Sequence, residues 1–441
     1  MHRGCVQRTQ YSHAKNGWKV SVIASPVSKC RVDDETLTNL VTGESITELN
    51  PPITSEFELD QVARSYGPRA KIALHGSAPH ALSLDNLRDL SCTKLSPIDT
   101  NIPLSYAPSL GSVELRKRLA EIYSTESAPL TEDNVIITPG SIMANYLVLS
   151  TTCTKGDHVI CQFPNYGPLY LLPKYFGAEV EFWVGREERS WDLDIKELKA
   201  LIRPSTKAII LTNPCNPTGA VLTRETLAQI RDLAKKHNIT IFGDEVFRPL
   251  FHSDTATPPS VISLGYSNTI STGSVSKAYS LPGIRIGWII SPNQDILQRI
   301  IAARDYTTLN VSRIDDAIAL FALSPDVLPK IIAQILETQG KNIEQYDQFV
   351  KRNSKRCRWV RPRGGGTAFI HFSGSDGKSI DEVAFAERLI DGFGVAAIPA
   401  SAGFSEEGVA DYKGYLRLSL GQRVEAVAEG LRLIELAIQD F

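Results

Sequence analysis

Short runs of apolar and β-branched residues alternate with stretches of helical period along the middle of the chain, and that alternation predicts the architecture. Runs of the first kind occupy residues 134–138, 158–162, 180–184, 208–212, 240–242, 269–272 and 284–290. Between them lie segments such as 112–123 (SVELRKRLAEIY) and 224–237 (RETLAQIRDLAKKH). In the second, Leu227, Ile230 and Leu233 recur at helical spacing, and Thr223 is placed to cap the first turn. Strands alternating with helices predict a mainly parallel sheet covered on both faces. Ligands of such sheets bind beyond the carboxyl ends of the strands, so the residues after each run are the ones to inspect for chemistry.

On either side of that block the pattern changes. Residues 1–31 lack periodicity and read as a loose arm, and residues 33–97 read as short helical pieces, 82–90 among them, between Pro and Gly breaks. Past residue 324 a long helical stretch (327–351) leads through 367–372, 382–390, 395–398 and 415–419 to a last helix at 424–439. A chain of 441 residues exceeds what one core serves. The expected division is an arm over 1–32, a large domain over 97–324, and a smaller α+β domain joining 33–96 to 325–441.

Composition narrows the partners. Lys and Arg number 47 against 49 Asp and Glu, a formal charge of −2, so no basic field invites nucleic acid. The seven cysteines are scattered and never spaced C-x-x-C, which predicts reduced thiols and neither a disulfide framework nor a metal site. No apolar run approaches a membrane span, and the N-terminal segment has no secretory core, so a cytoplasmic location is expected.

Three motifs at predicted strand ends carry the candidate chemistry. Ser274-Val275-Ser276-Lys277 follows the run at 269–272 and precedes Gly283-Ile284-Arg285-Ile286-Gly287. A serine three residues before the lysine and an arginine eight after it can converge on one phosphate, whereas a lone lysine in a turn would simply be solvated. Asn213-Pro214-Cys215-Asn216-Pro217-Thr218-Gly219 follows 208–212. Its turn residues by themselves specify only a tight loop, but such a loop also holds the Asn216 amide at a strand's carboxyl end. Asp244-Glu245-Val246-Phe247 follows 240–242. Asp244 is either a helix N-cap or a buried carboxylate, which is costly unless a cation pairs with it. A lysine for an aldehyde, a carboxylate for a protonated pyridine nitrogen, an amide for a phenolic oxygen and a Ser/Arg pair for a phosphate together meet the demands of pyridoxal phosphate. Lys277 is therefore expected to hold that cofactor as a Schiff base, in an enzyme acting on an amino acid or amine.

With these SxSK…GxRxG, NPxNPTG and DExx motifs the chain resembles the class I/II aminotransferases, the fold-type-I pyridoxal-phosphate enzymes, from about residue 70 to the C-terminus. The resemblance implies an α/β fold, with a large domain built on a mainly parallel seven-stranded sheet and a smaller α+β domain. It implies that Lys277 moves the proton between Cα and C4′, Asp244 holds the pyridinium and Asn216 bonds the phenolic oxygen. Ser274, Arg285 and the helix start Gly140-Ser141-Ile142 would bind the phosphate. Tyr166, in Pro164-Asn165-Tyr166, would stack on the ring. Tyr106, in Tyr106-Ala107-Pro108-Ser109-Leu110-Gly111, would reach the neighbouring subunit's phosphate, which implies a homodimer with shared active sites. Arg417 would grip the substrate's α-carboxylate through its planar fork, and Gly76 would line the substrate pocket through its backbone. Phe247 departs from the family, which usually carries Tyr there with a hydroxyl on the phenolic oxygen. Losing that donor predicts a raised pKa for the Schiff base. The pH dependence of the visible spectrum in wild type and Phe247→Tyr reads it, and equal midpoints would count against the assignment. Pro399-Ala400 stands where a Pro-Gly pair is common.

The activity implied is an aminotransferase working through an external aldimine and a Cα carbanion. Protonation at C4′ completes transamination, loss of a β-substituent makes a lyase, and loss of a γ-substituent allows cyclopropane formation. The residues named so far do not separate these outcomes. The segments Leu74-His75-Gly76-Ser77-Ala78-Pro79 and Phe247-Arg248-Pro249-Leu250-Phe251-His252 are unlike primary-metabolism enzymes. They resemble secondary-metabolite relatives, among them aminocyclopropane-carboxylate-synthase-like proteins, amino-acid cyclases and the C–S lyases of epidithiodiketopiperazine assembly. A C–S β-lyase is the alternative activity. A non-catalytic cofactor-sensing regulator would carry a helix-turn-helix region ahead of the fold, where this chain lacks a clear helical pair. His75, His80, His252 and His371 receive no role, His75 being the best placed beside Gly76.

Overall fold

In the computed structural model of the protein the described residues are 9–14, 17–22, 57–252, 257–439 and 441. Residues 1–51 form a unit by themselves, separate from 52–441. What is described of that unit is an antiparallel hairpin of β1 (Thr9–Ala14) and β2 (Gly17–Val22), so the aperiodic arm contains a strand pair. The rest of the expected arm, and residues 33–56 of the expected small domain, lie outside the described residues.

In the second unit a two-residue strand, β3 (Ile72–Ala73), precedes the main sheet. That sheet is built by β4 (Val135–Thr138), β5 (His158–Phe163), β6 (Glu179–Val184), β7 (Thr206–Thr212), β8 (Thr240–Asp244), β9 (Thr269–Ser274) and β10 (Gly287–Ile290), in the order β4-β10-β9-β8-β7-β5-β6. Strands β6, β5, β7, β8 and β9 run parallel, while β10 is antiparallel to both β9 and β4. Every residue of β5, β8, β9 and β10 is buried, as expected of strands covered on both faces. Successive side chains go to opposite faces. Ile209, Leu211 and Ile241 pack with Leu227 and Ile230 of the helix Arg224–His237. Ile210, Phe242 and Ile270 pack with Ala144, Leu147 and Val148 of the helix Ser141–Thr152. The Thr223 hydroxyl caps its helix by accepting from the Thr226 N–H at 3.2 Å.

The last run departs from expectation. Pro282–Ile284 is a single 3₁₀ turn, Arg285 takes φ +50°, and the strand starts only at Gly287. Proline at a first helical position favours the turn, and the apolar Ile284 hides it from a hydropathy pattern.

A second sheet holds β11 (Cys357–Trp359), β12 (Thr367–Phe372), β14 (Ile398–Pro399) and β15 (Tyr415–Ser419), antiparallel in the order β11-β12-β15-β14, while β13 (Val395–Ala396) pairs with β3. The helices Leu328–Arg352 and Val424–Gln439 cover it, with Tyr346, Phe349, Leu431 and Ile434 against Ile370, Phe372, Leu416 and Leu418. Among the described residues no helix is long and apolar enough to cross a membrane.

Candidate active site

The carboxyl ends of β5, β7, β8 and β9 converge on a cavity of about 330 Å³, closed on other sides by the helix Glu58–Tyr66, the segment after β3, and β15. Gly76, Ser141, Ile142, Tyr166, Asn216, Asp244, Phe247, Lys277 and Arg417 all line it. Gly140, Ser274 and Arg285 are not in its lining; Gly140 precedes the lining Ser141, and the Arg285 guanidinium lies against Gly140. Tyr106 does not reach it: the side chain is 79% exposed, and its carbonyl accepts from Arg313 at 3.0 Å.

Lys277 stands just past β9 and donates from Nζ to the Ser77 hydroxyl at 2.9 Å. Burial, then the like charges of Arg417 and Arg285, bring its pKa down to about 8. Asp244 ends β8 and is 3% exposed. Its carboxylate accepts from Asn145 Nδ2 at 2.8 Å and from the Val246 N–H at 3.1 Å. Thr272 in turn donates to Asn145 Oδ1 at 2.7 Å, which fixes the amide. Burial nevertheless pushes Asp244 up to about 6, because two neutral donors do not replace water around a charge.

Arg417 lies on β15 with its guanidinium 5.4 Å from the centre of the Phe404 ring. Nη2 donates to the His75 carbonyl at 2.6 Å and Nη1 makes a long bond to Asn216 Oδ1 at 3.4 Å. Among the described residues the buried Nε has no partner. Burial lowers this arginine to about 10, so a cation is held in the wall with donors to spare. The Tyr166 ring meets Phe57 edge-on at 5.5 Å, and burial raises its hydroxyl pKa. Phe247 is 2% exposed, packed where Gly365 and Gly366 leave room for its ring.

Beside the cavity the helix Ser141–Thr152 begins after Gly140, whose φ is +81°. Its first-turn N–H groups have no intrahelical acceptor and point outward. A Cβ on Gly140 would lie 2.3 Å from Arg285 Nη2, and one on Gly287 would lie 2.5 Å from the Gly140 carbonyl carbon. Both glycines are thus required for the guanidinium to sit over the helix start. Arg285 Nη1 also donates to the Pro282 carbonyl at 2.8 Å and to Ser276 Oγ at 3.3 Å, and Ser274 Oγ accepts the Ser276 N–H at 3.2 Å. Backbone donors, hydroxyls and a guanidinium in one recess suit an anion.

Sequence reasoning missed three polar lining or supporting residues: Asn145, Ser77 and Asp60. Asn145 was detectable, being one turn after Ser141 on the same helical face. Ser77 and Asp60 gave no pattern, since only the packing of the segment after β3 and of the first helix brings them to the cavity. Of the four unassigned histidines, only His75 lines it.

The sheet and its strand-end cavity define the chain as a fold-type-I pyridoxal-phosphate enzyme. Residues 99–434 match the Aminotransferase class I and II family, and the chain belongs to it. A solved PLP-dependent aminotransferase from Streptococcus suis is 30% identical with a TM-score of 0.79, over 88% of this chain and 98% of that one. An aspartate aminotransferase of Pyrococcus horikoshii is 28% identical over 76% of this chain and 83% of its own length. A capreomycidine synthase of Streptomyces vinaceus is 28% identical over 75% of this chain and 82% of its own. Pyridoxal phosphate is the cofactor of this enzyme, and its substrate is an amino acid.

Proposed function

We propose that the protein moves the amino group of an amino acid in secondary metabolism, using the cavity at the strand ends as its active site. The convergence of Lys277, Asp244, Asn216, Tyr166 and Arg417 on one cavity carries this reading. The residues present fit pyridoxal phosphate: a buried carboxylate short of a cation, an anion recess over Gly140, and an amine at low pKa between them. When bound, the cofactor supplies an aldehyde that condenses with amines and a ring that takes up negative charge from Cα.

Asp244 would keep a proton on the pyridine nitrogen, with Asn145 and Thr272 holding the carboxylate in place. Arg285, Ser274, Ser141 and the N–H groups of the first helical turn would receive the phosphate, Ile142 and Gly140 lying in that turn. Asn216 Nδ2, which makes no hydrogen bond among the described residues, would bond the phenolic oxygen, and Tyr166 and Phe247 would exclude water from the ring. Arg417 would take the α-carboxylate on the donors that its bonds to His75 and Asn216 leave over, the unpartnered Nε–H first among them, with the Gly76 backbone beside it. Lys277 Nζ would act as the base at Cα. A pKa near 8 leaves part of it unprotonated at neutral pH.

A homodimer and a cytoplasmic location belong to the same proposal. Tyr106, Leu104 (83% exposed) and Tyr306 (91% exposed) leave apolar surface around the groove of residues 104–107 and 310–314, which a second copy would cover. The division of 97–324 from 33–96 and 325–441 is proposed as well: Ile370, Phe372, Leu416 and Leu418 have an apolar cluster of their own, while Phe369, Ile398 and Tyr415 pack with the main sheet and join the two parts.

Elimination or cyclisation is the second reading, a C–S β-lyase included. The likeness to capreomycidine synthase, a relative named for a synthesis and not for amino transfer, favours keeping it. Incubation with an amino acid plus a 2-oxo acid, and separately with a cysteine S-conjugate, separates the two. Transamination converts the 2-oxo acid into its amino acid; pyruvate or thiol released without amino transfer would overturn the first reading.

A further inference from the structure

The charges around the cavity point to the side chain of its substrate. We propose that this site takes an amino acid with a cationic side chain, an ammonium or guanidinium, which Asp60 receives; the inference rests on reading the cavity as the active site. Among the described residues, the formal charges lining the cavity are Asp60, Asp244, Lys277 and Arg417. The cofactor engages Asp244 and Lys277, and the substrate's α-carboxylate engages Arg417. Asp60 is left for the rest of the substrate.

Its position supports that role. Asp60 lies on the helix Glu58–Tyr66, whose Leu59 and Ala63 form the same wall, and no hydrogen bond or ion pair engages its carboxylate among the described residues. Asp60 is exposed at the cavity mouth, where it lines the same space as Lys277, Arg417 and Tyr166 and its charge acts on all three. An acid in a first helical turn is ordinary, because it meets the positive end of the helix. Glu58 already meets that preference without lining the cavity, so capping does not explain why Asp60 turns toward the substrate. His75 does not offset the charge. Burial, then Arg417, lowers its pKa and keeps the imidazole neutral, an acceptor and not a cation.

A dicarboxylic substrate finds the opposite environment. Arg417 is the one arginine lining the cavity among the described residues, so a second carboxylate would have no fork of its own and would approach Asp60 against like charge. An alkyl side chain ending in an ammonium or guanidinium has the reach and the sign to meet Asp60 while its α-carboxylate sits on Arg417.

The test uses the holoenzyme with L-arginine, L-lysine, L-norleucine and L-glutamate, following the cofactor's spectrum for both binding constants and turnover. Arginine or lysine is expected to exceed norleucine in kcat/KM by about tenfold or more, with glutamate below both. Asp60→Asn should lower the arginine-to-norleucine ratio by about tenfold, mainly through KM and the binding constant, and Asp60→Glu should retain part of it. Rising salt should shrink the wild-type ratio as it screens the pair, which gives a measurement free of any folding defect in the variants. Glutamate as the best substrate, or a ratio unmoved by both Asp60→Asn and salt, overturns the inference and leaves the active-site reading standing. If none of the four amino acids changes the cofactor's spectrum, the active-site reading fails, and this inference with it.

Discussion

Replacing Lys277 with alanine is expected to lower turnover by about 10³-fold or more, since the general base at Cα is removed and no other amine lines the cavity among the described residues. Borohydride reduction should add the cofactor's mass to the wild-type chain and not to the variant. Lys277→Arg should be as inactive, because a guanidinium does not give up its proton. A small primary amine added to Lys277→Ala should restore part of the rate, with a dependence on the amine's own pKa, while the fold and the Arg417 wall stay intact. Unchanged turnover in the alanine variant would remove Lys277 from the mechanism altogether.

Asp244→Asn is expected to act in opposite directions on activity and on stability. With cofactor, loss of the charge that retains the pyridinium proton should lower turnover by about 10²–10³-fold, the range seen when one preorganised electrostatic partner is removed. Without cofactor, the wild-type carboxylate is a liability. Its folded pKa is about 6 against an ordinary 3.8, raised by burial, so between those values the folded chain holds a proton that the unfolded chain has lost. Stability therefore falls as pH rises from about 4 to 6, and the penalty is complete above 6, on the order of 3 kcal/mol. The cofactor-free variant should accordingly melt higher than cofactor-free wild type at pH 8 and no higher at pH 4. A lower Tm for the variant at pH 8 would show that Asn145 and the Val246 N–H already compensate the charge. Lys277 adds a term of the other sign. Its folded pKa of about 8 lies below the ordinary 10.5, so the unfolded chain binds more protons between them and the cofactor-free protein gains stability as pH rises through that window.

These expectations share one physical origin. The cavity holds a carboxylate, an amine and a guanidinium that burial each pushes toward neutrality. A cofactor and substrate of complementary charge relieve that cost, so the site is destabilising when empty and binds for the same reason.

Residues that act through their own local motif were legible from the chain. Lys277, Asp244 and Asn216 each follow an apolar run, and a parallel sheet delivers every such position to one edge, so the pattern of runs sufficed to bring them together. Ser274, Arg285 and Gly140 were legible for the same reason, although the turn that aims Arg285 back over Gly140 was concealed within an apparent strand. Ser77 and Asp60 were not, and Asn145 was detectable only by its place one turn after Ser141. Asn145 acts through Asp244, and its purpose emerges only once β8 lies beside the helix Ser141–Thr152.

By itself, then, the sequence determined the alternation of strands and helices and which side chains gather at the strand ends, because burial on two faces and turn residues are written locally. Tertiary structure alone decided what else faces the substrate. Asp60 and Ser77 approach Lys277 across more than 190 residues of chain, as in the 200-residue separation of the Ser77–Lys277 bond, and no local preference encodes a contact at that range. The charge left at the cavity mouth, and with it the selectivity proposed for the substrate, is a property of the packing between the first helix and the sheet.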